Sequence, residues 1–128
     1  MKKFLLMTLL SVFGLTFAVA QNQAEIKFDK VSYDFGTFLE SNPVHKTTFT
    51  LTNVGKAPLV INQVIASCGC TIPKYDKRPI APGQKGSIDV TYNGTGKFPG
   101  HFKKSITVRT NGKVEMTRLY IEGVMEGK

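Results

Sequence analysis

The chain predicts an all-β fold, an immunoglobulin-like antiparallel β-sandwich of about seven strands. Three observations carry that prediction. Apolar and polar residues alternate at a period of two in several short runs, turn residues separate those runs, and beyond the first twenty residues no stretch has a convincing helical period.

The first element lies outside the sandwich. Lys2 and Lys3 give a positive start, the run from Phe4 to Val19 is almost wholly apolar, and Ala18-Val19-Ala20 supplies a small-x-small site. The pattern predicts a signal peptide over residues 1–20, cut between Ala20 and Gln21. Its apolar core is short for a membrane span and no charged stop-transfer flank follows. No cysteine sits near the cut, so lipid anchoring is not expected, and no later apolar stretch is long enough to cross a bilayer. The expected product is exported, periplasmic or secreted. A short lead over 21–25 precedes one sandwich over 26–124 and a tail over 125–128.

Within the sandwich, Phe49 and Leu51 alternate with Thr48, Thr50 and Thr52. Ile88, Val90 and Tyr92 alternate with Ser87, Asp89 and Thr91, and Phe102, Ile106 and Val108 oppose Lys103, Ser105, Thr107 and Arg109. These are half-buried strands. The run Leu59 to Ile65 is apolar on both faces, which suits a covered strand or one bent by a bulge. The expected core comprises Val31, Tyr33, Phe35, Phe49, Leu51, Leu59, Ile61, Ile65, Ile88, Val90, Phe102, Ile106, Val108 and Ile121. With no Trp and no cysteines spaced to bridge opposite sheets, it must rest on apolar packing.

Turns follow from local chemistry. Asn53 and Gly55 predict a turn in which Asn bonds its own backbone and Gly takes positive φ. Pro82-Gly83 fits the middle of a type II turn. Asn111-Gly112, between two β-like runs, predicts a type I′ hairpin. Beyond it Met116 and Leu119 cannot share a face of a regular strand, so a bulge near Arg118 is expected. Asn93-Gly94-Thr95 matches a glycosylation sequon but reads as a turn.

Charge bounds the partners. The chain has 17 Lys and Arg against 9 Asp and Glu, a formal net charge of +8, of which Lys2 and Lys3 belong to the predicted leader. An exported basic domain is drawn to anionic surfaces, and nucleic acid is not an expected partner. An envelope protein, peptide or glycan is. The positives are scattered, as on a solvated surface. Tyr75, Phe98 and His101 flank basic residues and offer a glycan or peptide patch, although packing back on the sandwich is the simpler expectation.

Cys68 and Cys70, the only cysteines, flank Gly69. In an extended strand residues two apart have Cα atoms about 6.7 Å apart, at the edge of disulfide range, and Gly69 lets the chain fold tighter. A three-residue loop supplies only about 1.6 kcal/mol of loop entropy. Three readings stay open: a local structural disulfide, a Cu(I) site, and a thiol-disulfide exchange couple. His45, His101 and Met116 are the auxiliary ligands a metal would draw on, with Met116 otherwise core and Met125 tail. The histidine spacing matches no compact zinc pattern. The sequence carries no phosphate-binding Gly loop, HExxH or GxSxG, and catalysis is not expected.

The succession Tyr33-Asp34-Phe35-Gly36, Phe49-Thr50-Leu51-Thr52-Asn53-Val54-Gly55, Ser67-Cys68-Gly69-Cys70-Thr71, Ile80-Ala81-Pro82-Gly83 and Gly123-Val124 resembles the bacterial family called domain of unknown function 1573. That family is similar to Hydin-type and PapD-like immunoglobulin-like domains. The resemblance spans Ile26 to Val124 and implies fold, export and the recurrence of the cysteine element. It implies no activity. The functional expectation is therefore a non-catalytic binding or assembly module of the cell envelope, with Cu(I) binding or thiol exchange at Cys68 and Cys70 as the alternative.

Overall fold

The computed structural model describes residues 22–127. The predicted signal peptide and its cleavage site at Ala20 and Gln21 lie outside them. Eight strands form: β1 (Ile26–Phe28), β2 (Ser32–Leu39), β3 (Val44–Asn53), β4 (Ile61–Ala66), β5 (Thr71–Tyr75), β6 (Lys85–Asn93), β7 (Gly100–Thr110) and β8 (Met116–Glu126). One sheet has the order β1-β3-β6-β5 and the other β2-β8-β7-β4. All pairs are antiparallel except β2 with β8. That parallel pair arises where the first strand changes sheets. After Phe28 the chain crosses at Asp29–Val31 and continues alongside β8, with Tyr120 N–H donating to Val31 O at 2.8 Å.

The alternation does what period two requires. Phe49, Leu51, Ile88 and Val90 from one sheet meet Ile106, Val108, Leu119 and Ile121 from the other, all fully buried. Tyr92 and Phe102 stack across the sheets with ring centroids 3.9 Å apart. Burial pushes the Tyr92 phenol above its ordinary pKa, so it is neutral at physiological pH.

Several expected positions are corrected. Val31 and Tyr33 are exposed, because the first lies in the crossing and the second on an edge strand with no neighbour on one side. A register shift between Asp34 and Thr37, with Gly36 at φ 77°, resets the phase so that Phe38 fills the core instead. Phe35 is only partly buried against the core. Ile65 faces outward, because the irregularity between Ile61 and Gln63 turns Val64 and Ala66 inward.

No bulge is needed at Arg118. Strand β8 pairs with β7 in unbroken register; Leu119, Ile121 and Met125 point in, and Met116 simply lies in the outward phase, 41% exposed. Met125 is therefore core rather than tail, and the last strand runs to Glu126, past the expected boundary at 124. The lead over 22–25 is likewise tied down. Ala24 is buried and its carbonyl accepts from Lys113 N–H at 2.9 Å.

The turns divide. Ala81-Pro82-Gly83-Gln84 is a type II turn as expected, with Gly83 at φ 83° and Gln84 N–H donating to Ala81 O at 2.9 Å. The hairpin at Asn111-Gly112 is not type I′, since Gly112 does not take positive φ; Thr110 N–H bonds Glu115 O at 2.9 Å, leaving a four-residue loop. Asn111 serves elsewhere, accepting from Val60 N–H at 2.8 Å and donating to Pro58 O at 3.1 Å.

Candidate functional site

The cysteine element occupies a corner. Strand β4 is an edge of one sheet and β5 an edge of the other, so residues Ser67 to Cys70 carry the chain between sheets. Ser67 N–H still pairs with Ser105 O at 2.9 Å, and Thr71 N–H turns back to Cys68 O at 3.3 Å. This turn brings the two Cα atoms to 5.3 Å, and a disulfide joins Cys68 to Cys70. Gly69 does not take positive φ and has open space around it, so the corner does not depend on glycine.

Burial distinguishes the sulfurs. Cys70 is 7% exposed and part of the core, while Cys68 is half-buried and packs against it. Cys70 N–H donates to Cys68 Sγ at 3.2 Å, and Thr71 Oγ1 lies 3.7 Å from that sulfur. The remaining expected ligands do not converge on the pair. His45, on β3, donates from Nε2 to Asn42 O at 2.9 Å and packs on Phe38 with centroids 4.0 Å apart. His101 Nε2 pairs with Glu122 Oε1 at 3.2 Å on the outer face of the other sheet. Met116 stands opposite Arg109, at the far end of that sheet. Among the described residues no three His, Cys, Asp or Glu side chains are grouped to hold a metal.

Asn53 turns out to be a structural hub. It is fully buried; its Oδ1 accepts from Gly55 N–H at 2.9 Å and Glu25 N–H at 3.2 Å, while Nδ2 donates to Ala57 O at 2.8 Å and Ile80 O at 2.9 Å. The self-bonding turn was legible; the two long-range bonds were not. Gly55 does not take the expected positive φ. Its requirement is room, because a Cβ there would stand 2.3 Å from Gln23 O.

Which sheet edge stays open was not legible in the sequence; it is the length of β3 beyond β1. Strand β1 covers β3 only from Leu51 to Asn53, and Asp29 extends the cover by one residue, its N–H donating to Thr50 O at 2.9 Å. Then the chain leaves for the other sheet. Since Thr50 faces this side, period two turns the backbone groups of Thr48, Lys46 and Val44 the same way. The opposite edge differs. Cys70 O accepts from Asn93 N–H, so Thr71, Pro73 and Tyr75 face outward on β5; Thr71 N–H is taken by the turn and Pro73 has none to give. Phe98, expected to pack back, stands 93% exposed between Lys97 and Pro99.

No curated protein matches the chain. Among solved structures, one similar fold is a protein of unknown function from Porphyromonas gingivalis W83, with TM-score 0.70, 16% identity, 84% of this chain covered and 50% of that one. The present chain thus spans half that protein's length. The ASH/PapD-like domain 7 of human CEP192 aligns with TM-score 0.61 and 12% identity over 92% of this chain and 97% of that one. The periplasmic chaperone SfaE aligns with TM-score 0.57 and 7% identity over 81% and 58%. At these identities the likeness is one of fold. The model of the family described as protein of unknown function (DUF1573) matches residues 26–125, and the chain belongs to that family.

Proposed function

We propose that this protein is an exported, non-catalytic binding or assembly module of the bacterial cell envelope, and that it engages a partner strand along β3 from Val44 to Phe49. The observation that carries this reading is the uncovered length of β3 beyond Thr50. An added strand gains main-chain hydrogen bonds from such an edge, and side chains flanking it set specificity. Val44, Lys46 and Thr48 are exposed there, while His45 and Thr47 are half-buried. A solved structure of similar fold is a chaperone by name, which agrees with protein binding in general.

The Cys68–Cys70 bridge fits a brace for the corner between β4 and β5, because each sulfur is bonded to the other and one is core. Intact mass of the protein recovered from the envelope without reductant or chelator is expected to fall two hydrogens below the dithiol mass, with no metal added. Two free thiols carrying copper would transfer the functional role to the cysteines.

Photo-crosslinking tests the edge. A photoreactive residue at Val44, Lys46 or Thr48 is expected to trap a discrete partner that the same residue at Ser87 does not. Lys46→Pro removes an outward N–H and should abolish the adduct with the fold intact. Equal yields at Ser87, or no change in Lys46→Pro, would remove β3 from the binding surface.

A further inference from the structure

The outer face of the β2-β8-β7-β4 sheet carries a second feature, independent of the β3 edge. Directly opposed residues of neighbouring strands share a face. Ser105 stands opposite Tyr120, Thr107 opposite Arg118, and Ile65 opposite Thr107 from the other side. The small β7 side chains Ser105 and Thr107 thus form a floor. Ile65 rises on one flank and Arg118 with Tyr120 on the other, enclosing a depression of about 230 Å³.

The next outward residues along β7 are Lys103 at one end and Arg109 at the other, a span of about 20 Å at strand rise. Lys103 Nζ lies 5.1 Å from the Tyr120 ring centroid. Its register partner Glu122 is engaged by His101 at 3.2 Å, and among the described residues Lys103, Arg109 and Arg118 have no ion-pair partner. Three free cations therefore surround a hydroxyl floor with an aromatic and an aliphatic wall.

We infer that this groove binds a carboxylated polysaccharide, a chain of uronic-acid type. Sugar hydroxyls find hydroxyl partners in Ser105 and Thr107, sugar C–H faces lie against Tyr120 and Ile65, and carboxylates meet Arg118, Lys103 and Arg109. A peptide fits less well. The groove floor is β7, paired on both sides by β4 and β8, so the floor offers no free backbone N–H or C=O to a peptide main chain.

Binding of an oligogalacturonate to the intact mature protein, measured by calorimetry in 150 mM salt, tests the assignment. The expected results are saturable binding, about tenfold weaker in Arg118→Gln and several-fold weaker in Tyr120→Ser, and unchanged in Arg78→Gln, a control at an exposed site in the β5–β6 loop. A neutral dextran should not bind, and a polyglutamate of equal charge should bind at least tenfold more weakly. Binding of polyglutamate as tight as that of the uronate would mean charge attraction alone and overturn the proposal, as would wild-type affinity in Arg118→Gln and Tyr120→Ser. Each variant's thermal unfolding should match wild type, since both side chains stand on the outer face. Lys46→Pro should leave uronate binding intact, so failure here and failure of the strand-addition reading are separable.

Discussion

Each flank of this sandwich is formed where the chain changes sheets, yet the two flanks are treated differently. Between β4 and β5 the crossing is cross-linked by Cys68–Cys70, and the β5 edge beside it carries Pro73 where an outward donor would be. Between β1 and β2 the crossing has no cross-link, and it leaves β3 bare from Val44 to Phe49. An edge that is to stay monomeric is blocked, and an edge that is to pair is left free. That contrast is the reason for proposing the β3 edge as the surface for strand addition.

The β1 flank depends on few anchors, so the largest effects should arise there. Asn53→Ala removes four hydrogen bonds at a fully buried site and leaves the Ala57 and Ile80 carbonyls without that donor. A loss of about 3 kcal/mol or more is expected in urea unfolding. Gly55→Ala is next. Its methyl would collide with the backbone at Gln23 and Glu25, lifting the lead that holds β1. A destabilisation of about 2 kcal/mol is expected, with hydrogen exchange faster at the Val54 and Lys56 amides, which bond Glu25 O and Gln23 O. If exchange there matched wild type, β1 would be held by something else.

On the braced flank, Cys68→Ser with Cys70→Ser should cost about 1.6 kcal/mol in loop entropy for so short a ring, plus about 1 kcal/mol or more for a serine hydroxyl at the buried Cys70 position. Faster exchange should be confined to the β4–β5 corner. A global loss several times larger would make the bridge a keystone for the whole sandwich.

What the sequence revealed divides along the same line. Strands fully paired on both sides obeyed period two: β6, β7 and the inward half of β3 were readable from Phe49, Leu51, Ile88, Val90, Ile106 and Val108. Edge strands misled, because alternation reports a face and not a neighbour. Tyr33 has the right phase beside Ile121 but no strand beyond it, and the shift before Thr37 is set by a glycine whose φ no pattern announces. Asn53 and Gly55 were legible as punctuation, but their long-range roles depend on where Glu25, Gln23 and Ile80 come to lie. The open length of β3 had no signal at all. It is a property of β1 being three residues long.

The remaining predictions convert one flank toward the other. Pro73→Val restores a donor on the outward side of β5. Monomer stability should change by about 0.5 kcal/mol or less, while sedimentation should detect self-association absent from wild type. A strictly monomeric variant would mean that the corner geometry, and not proline, blocks this edge.

The smallest effect lies just beyond β5. Arg78 binds the Asp76 carboxylate in bidentate fashion, with Nη2 to Oδ2 at 2.5 Å and Nε to Oδ1 at 3.1 Å, and these bonds hold the Asp76 pKa down to about 2. A depressed carboxylate favours the folded state above the unfolded value near 3.8 and loses that contribution as pH falls toward 2. Both side chains are open to solvent, so counterions should screen the pair. Asp76→Asn should therefore leave unfolding unchanged at pH 7 in 150 mM salt, while at low salt it should slightly lower the stability plateau above about pH 4 and flatten the acid limb below it. A clear loss at neutral pH would mean that Asp76 does more than pair with Arg78, and that the closed flank relies on its loop as well as on its bridge.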